Sequence, residues 1–139
     1  MSKLKKRGLI ILICCVIFIV ISFIIPKKIY GKWYLYNGNN ISTDTNIVKQ
    51  LNPKDYIEIS ERTMKTFTSD GKDGIGECNI TYNKIHSGDT IYSFNVSNVG
   101  EYKILVLEEI GYDDGHTEGS IKNGHKSTYV FDKNIEFKE

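Results

Sequence analysis

The 139-residue chain contains no alanine, two prolines, one tryptophan and three cysteines, two of them adjacent at Cys14 and Cys15. Cys78 is therefore alone outside the first twenty-eight residues, and no internal disulfide can staple the part that follows. That part must be held by a hydrophobic core, and about 110 residues are enough for one such domain. No Asp or Glu precedes Ile29, whereas six Lys or Arg do. The nearly neutral total of +1 thus hides a remainder, residues 29–139, with twelve basic and seventeen acidic side chains. A surplus of five negative charges argues against an extended nucleic-acid surface, because phosphate binding needs clustered cations. It suits solubility, or attraction of a cationic ligand or peptide.

Arginine is scarce too, two against sixteen lysines, while Ile, Asn and Tyr abound. Such usage resembles that of an AT-rich genome, as in a low-GC Gram-positive bacterium. The acceptor patterns at Asn40, Asn79 and Asn95 are then chance occurrences in an Asn-rich chain.

What the chain does have is an unbroken apolar run over residues 9–25, LIILICCVIFIVISFII, between a basic head (1–8) and Lys27-Lys28. At about 1.5 Å per residue it covers about 25 Å, slightly short of a hydrocarbon core of about 30 Å, and flanking lysines can snorkel to close the gap. Nearly every residue in it favours insertion. Small residues in an A-x-A-like pattern do not follow the run, so the segment is expected to stay attached as a signal-anchor. Neither Cys14 nor Cys15 follows a small residue, so a lipid-modified cysteine is not expected. Lys3, Lys5, Lys6 and Arg7 outnumber the near-flank Lys27, Lys28 and Lys32. The positive-inside bias then puts the N-terminus in the cytoplasm and residues 26–139 outside the cell membrane, tethered by a single pass through the bilayer.

Beyond the run the apolar pattern has period two, in segments rich in Tyr, Ile, Val, Thr and Phe. Strands are expected at 29–36, 55–60, 63–69, 77–83, 90–97, 101–110 and 127–133, with a weaker one near 118–122. Turn signals fall at Asp70-Gly71, Asp73-Gly74, Ser87-Gly88-Asp89, Asp114-Gly115 and Asn123-Gly124. A short helix over 42–52, capped by Ser42 or Thr43, would share Ile47, Val48 and Leu51 on one face and lie over a barrel end. Within 101–110, Tyr102, Ile104 and Val106 face one way and Leu105 and Leu107 the other. About eight antiparallel strands joined by short turns predict an all-β, small up-and-down barrel, because closure removes the exposed edges. A β-sandwich is the alternative.

Gly31-Lys32-Trp33, followed by Tyr34-Leu35-Tyr36 and a meander of hairpins, resembles the opening of lipocalin-like, calycin-type barrels such as a membrane-anchored bacterial protein could carry. The resemblance implies that Trp33 closes one barrel end and that a basic side chain of the last strand crosses it. Lys133 is the counterpart, where the family usually has Arg. It also implies binding of a small apolar molecule or a partner surface. Read from the residues alone, Trp33 anchors a β-domain core by its large buried area. An eight-stranded interior is just wide enough for its own side chains or one small ligand. With nine Tyr and six Phe in the chain, a filled interior and binding by loops or an outer face are expected.

Catalytic residues are not in evidence. Sortases also place a small barrel on an N-terminal anchor, but their His precedes the nucleophilic Cys and their Arg follows it. Here His86, His116 and His125 follow Cys78 and Arg62 precedes it, so Cys78 reads as a small buried strand residue. Asp113, Asp114, His116 and Glu118, with His125 nearby, are the candidate metal ligands, since oxygen and imidazole donors crowd into six residues. The spacing fits neither an EF-hand nor a zinc motif, and the same residues suit a solvated hairpin loop. The expected function is therefore a membrane-tethered extracytoplasmic binding or interaction protein with no cofactor. Its partner would be a peptide, an envelope component or a small apolar ligand. The alternative is a metal-dependent protein or enzyme using the 113–118 loop.

Overall fold

The computed structural model describes residues 2–138, except for the side chains of residues 22–27. A helix, α1 (Lys3–Lys27), precedes nine strands: β1 (Gly31–Tyr36), β2 (Leu51–Ile59), β3 (Thr63–Phe67), β4 (Gly74–Ile80), β5 (Lys84–Ser87), β6 (Thr90–Val99), β7 (Tyr102–Asp113), β8 (Glu118–Ser120) and β9 (Lys126–Phe131). Each of β1 to β7 pairs antiparallel with the next, and β9 pairs with both β7 and β1. These eight strands close into an up-and-down barrel, so a single sheet satisfies its own edges and the sandwich alternative falls.

The extra strand belongs to the same edge. β7 gives one side to β6 over its whole length, Tyr102↔Val99 to Tyr112↔Thr90. Its other side pairs with β9 through Ile104–Glu108 and with β8 through Gly111–Asp113. β8 and β9 are thus one barrel strand interrupted by residues 121–125, and the bonds Ile121 N to Ile110 O and Glu109 N to His125 O carry the ladder across the break. Asn123 takes the left-handed conformation there (φ 53°), and a Cβ on Gly124 would collide with the Glu109 carbonyl. The Asn123-Gly124 signal therefore marks a bulge that loops out of the strand, not a hairpin turn. Gly88 and Gly100 (φ 57° and 58°) open two-residue turns between β5 and β6 and between β6 and β7, as a glycine at the first central position allows. Gly74 lies within β4 rather than in a turn.

Two expectations change. β5 was not foreseen, since Lys84-Ile85-His86-Ser87 offers only one apolar residue to the pattern. In place of a helix over 42–52 there are two 3-10 turns, Ile41–Thr43 and Ile47–Gln50, capped by the side chains of Asn40 and Asn46. Local Asn caps win over Ser42 and Thr43, and β2 already begins at Leu51.

The core is two-sided. Inside the barrel lie Ile29, Trp33, Ile57, Ile59, Ile85, Leu105 and Leu107. On the outer face of β1, β9 and β7, Tyr34, Ile104 and Val130 are buried under Ile47 and Leu51, with Ile135 and Phe137 of the C-terminal tail packed beside them. Strand β7 therefore faces apolar surroundings on both sides, with Leu105 and Leu107 inward and Tyr102, Ile104 and Val106 outward. The 3-10 turn holding Ile47 covers the barrel wall, not its end.

Helix α1 spans the expected 9–25 run. Among the described residues no helix is long and apolar enough to cross a membrane. The described apolar part, 9–21, measures about 20 Å at about 1.5 Å per residue and is preceded by Lys3, Lys5, Lys6 and Arg7. Positions 22–25 of the expected span lie outside the residues whose side chains are described.

Gly31 explains its own place in the sequence. Its φ of 125° is closed to most side chains, and a Cβ would lie 2.7 Å from the Phe131 ring, which packs on Trp33 at 4.9 Å. We expect Trp33→Ala to lose about 3–5 kcal/mol of stability and Gly31→Ala about 1–3 kcal/mol. Urea unfolding of the full chain in maltoside micelles, followed by circular dichroism, measures both. A Gly31→Ala protein as stable as the parent would contradict this account of the residue.

Candidate functional site

The sheet order fixes which turns share an end of the barrel. The exit of α1, the turns at 60–62, 81–83 and 100–101, and the end of β9 lie together at what we term the helix end. The connections at 68–73, 88–89 and 114–117 lie at the opposite, far end.

The helix end is plugged. Ile29 and Trp33 are both fully buried, and the Trp33 indole Nε1 donates to the Ile29 carbonyl at 2.8 Å. Lys103 of β7 crosses this plug. Its ammonium donates to the Lys28 carbonyl and sits 5.4 Å from the Trp33 ring centroid and 5.1 Å from that of Phe131. Burial first, and then the neighbouring charge of Lys28, pull the Lys103 pKa down. The basic residue over the tryptophan thus comes from β7, and Lys133, the expected one, sits in the exposed turn after β9. Alternation on a twelve-residue strand placed Lys103 with Leu105 and Leu107, and that was the signal in the sequence that could have found it.

At the far end, Asp113, Asp114, His116 and Glu118 fall in one hairpin, as the sequence suggested. Their oxygens serve the turn itself. Asp114 Oδ1 accepts the N–H groups of His116 and Thr117 at 2.8 and 2.7 Å, and Asp113 Oδ1 accepts that of Gly115 at 2.9 Å. The Thr117 and His116 N–H groups hold the Asp114 carboxyl below the usual carboxylate range. Among the described residues no three His, Cys, Asp or Glu side chains are grouped so as to hold a metal ion. Cys78, buried in β4, approaches the Ser60 carbonyl at 3.8 Å, and burial pushes its thiol pKa up, the reverse of an activated nucleophile.

The far half of the lumen differs from the plugged half. Tyr92 and Tyr129 pack against the inner core yet keep partial solvent access, as do Ser87, Glu109 and Ser127. Register puts Tyr92 opposite Glu109, Ser87 opposite the core residue Cys78, and Ser127 opposite the core residue Leu107. Sequence reasoning expected a filled interior, and Tyr92, Phe94, Val96 and Tyr129 do pack on the inner core, beside polar neighbours that keep some exposure. These polar, part-exposed inward positions were hidden because Ser87 lies on the unforeseen β5 and Glu109 follows an apolar stretch. Outside the wall, a groove of about 640 Å³ runs between Val48, Leu51 and Pro53 on one side and Tyr102 and Phe137 on the other.

Compared with protein-family models, with curated proteins and with solved structures, the chain matches none. The lipocalin-like resemblance therefore stays with Gly31, Trp33 and the meander.

One polar pair outside the barrel makes a measurable mark. The Tyr36 hydroxyl donates to Asp44 Oδ2, across the connection between β1 and β2. That bond, and then the Asn46 N–H, lower the Asp44 pKa, while the same bond, burial and the Asp44 charge push Tyr36 up to about 12. A lowered carboxylate stabilises the fold above its ordinary pKa of about 4 and loses that contribution as pH falls. A raised phenol does so below about pH 10 and loses it as pH rises through its folded value. Tyr36→Phe is expected to melt lower than the parent from about pH 5 to pH 9. The two curves should converge in stronger acid. An offset that is constant with pH would rule out this linkage.

Proposed function

We propose that the chain is a membrane-tethered binding protein whose recognition surface is the far end of the barrel. The observation that carries this reading is the asymmetry of the two ends: one is plugged by Ile29, Trp33 and Lys103, and the other keeps part-exposed polar residues in its lumen. The turns follow the same division. Asp70, Asp73, Asp89, Asp113, Asp114 and Glu118 gather at the far end with Lys72, which pairs with Asp70, whereas Lys28, Arg62, Lys103 and Lys133 lie at the helix end with Glu61, Glu101 and Asp132. An acidic end turned away from an anionic lipid surface and a more cationic end turned toward it is the electrostatically favoured pose.

Support for the tether comes from the sequence run 9–25 and from the exposure of its described part. Leu9, Ile10, Ile11, Leu12 and Ile13 are 48–63% exposed, and Val16 and Ile17 are 52% and 53% exposed. Apolar surface of this extent needs a lipid or protein cover. We place the N-terminus in the cytoplasm and the barrel outside, from the lysine and arginine bias. The lipocalin-like resemblance of Gly31 and Trp33 agrees with a binding role.

The test has two arms. A phosphatase reporter that works only outside the cytoplasm, fused after residue 138, should be active, and the chain should sediment with membranes and resist carbonate extraction. Mild crosslinking in intact cells should trap a partner through cysteines introduced at Asp89 and Asp114, and not through one at Glu61. Activity of the reporter only in the cytoplasm would reverse the orientation. Equal capture from both ends would remove the far end as the recognition surface.

A further inference from the structure

We infer that the cavity around Lys103, at the helix end of the barrel, binds the phosphate head group of an anionic phospholipid. This inference rests on the membrane pose proposed above and names the lipid that the helix end would take.

The cavity is built by strand register and by one turn. It has a volume of about 310 Å³ and is lined by Asn98, Glu101, Lys103, Phe131, Lys133 and Asn134. Asn98 of β6 and Lys103 of β7 are register partners on either side of the turn at Gly100. Lys133 and Asn134 follow β9 in a turn where Asn134 takes the left-handed conformation (φ 68°) and the Ile135 N–H donates to the Asp132 carbonyl. Small-ligand pockets begin at about 300 Å³, so this one admits a head group and no polymer.

Lys103 brings a charge without a counter-charge into that space. Its ammonium has three donors, one of which goes to the Lys28 carbonyl. The ion pairs among the described residues are Lys72 with Asp70 and Lys126 with Glu108, so neither Lys103 nor Lys133 has a carboxylate partner among them. Lys103 is also half-buried. Burial, and then the Lys28 charge, lower its pKa, as expected of a cation crowded by another. A phosphate oxygen would take up the remaining Lys103 donors and meet Lys133, with the Asn98 and Asn134 amides beside it. Glu101, the acidic lining residue, shares a side-chain hydrogen bond with Tyr102 on the other face of β7. Glu101 and the adjacent Asp132 keep the local cationic surplus small, which suits a singly charged phosphodiester better than a polyanion.

Position decides the source of the phosphate. Lys28 follows the last residue of α1, and the exposed apolar residues Leu9 to Ile13 belong to that helix. A bilayer that covers them sets its head groups near Lys28, and so at the cavity that the Lys28 carbonyl borders through Lys103.

The test uses the full chain in maltoside micelles, titrated separately with dihexanoyl phosphatidylglycerol, dihexanoyl phosphatidylcholine and glycerol phosphate. Bound lipid is counted by native mass spectrometry and located by the emission of Trp33, the one tryptophan of the chain, whose ring centroid is 5.4 Å from the Lys103 ammonium. One phosphatidylglycerol should bind saturably and change the Trp33 emission, and phosphatidylcholine should do neither. Lys103→Met, which keeps the apolar stem over Trp33, should weaken binding about tenfold or more. Lys133→Gln, at an exposed position that leaves the fold intact, should weaken it about fivefold. Arg62→Gln, at the same end but in the turn between β2 and β3, should leave it unchanged. No saturable binding of phosphatidylglycerol, equal binding of phosphatidylcholine, or equal weakening by Arg62→Gln and Lys133→Gln overturns the inference. Glycerol phosphate binding as tightly as the lipid overturns the lipid assignment. Carbonate extraction tests the membrane pose independently, so a chain that stays with membranes yet binds no phosphatidylglycerol overturns this inference alone.

Discussion

The structure depends on one strand making hydrogen bonds on both sides. β9 joins β7 to β1, and only this insertion turns a meander with two raw edges into a cylinder. Val130 is buried at that seam, and Phe131 brings its ring onto Trp33. Both partners of the seam lie far apart in the chain. β1 must wait for the last strand before its outer edge is satisfied, and closure is a contact of high sequence separation whose loop entropy has to be met first. The hairpin of β6 and β7, with ten paired positions and a two-residue turn, is the local counterpart that can form early.

Much of this was legible in the sequence because closure imposes a regular pattern. Seven of the expected segments became barrel strands in order, and the double-faced alternation of β7 was visible in Tyr102 to Leu107. What escaped did so for physical reasons. β5 has four residues with one apolar side chain, too few to show a period, and is held by its two neighbours. The segment 42–52 has helical spacing at Ile47, Val48 and Leu51, but tertiary burial of Ile47 and Leu51 against the wall and two Asn caps favoured short 3-10 turns. The bulge at 121–125 and a hairpin turn share the same Asn-Gly signal, since both need a left-handed residue.

Site chemistry was less legible than fold. The 113–118 loop looked like a ligand set because four donors crowd six residues, yet Asp113 and Asp114 are occupied in closing their own turn. Asp and Asn in tight turns routinely bond the backbone two residues on, so density of carboxylates in a loop is a poor guide to metal binding. The inward face of the barrel, by contrast, is assembled from residues scattered over β5, β6, β7 and β9. Ser87, Tyr92, Glu109, Ser127 and Tyr129 share no local motif, and only the register brings them to one surface.

The plug at Ile29 has a mechanical consequence. Helix α1 joins the barrel through Lys28 and the fully buried Ile29, whose carbonyl is held by Trp33 two residues before β1 begins at Gly31. Tension along the helix would load β1 along its own axis. Both its ladders, to β2 and β9, have hydrogen bonds perpendicular to that axis, so they would resist together in shear and could not open one at a time. The strand joined to helix α1 is thus among the best placed in the barrel to bear a pull.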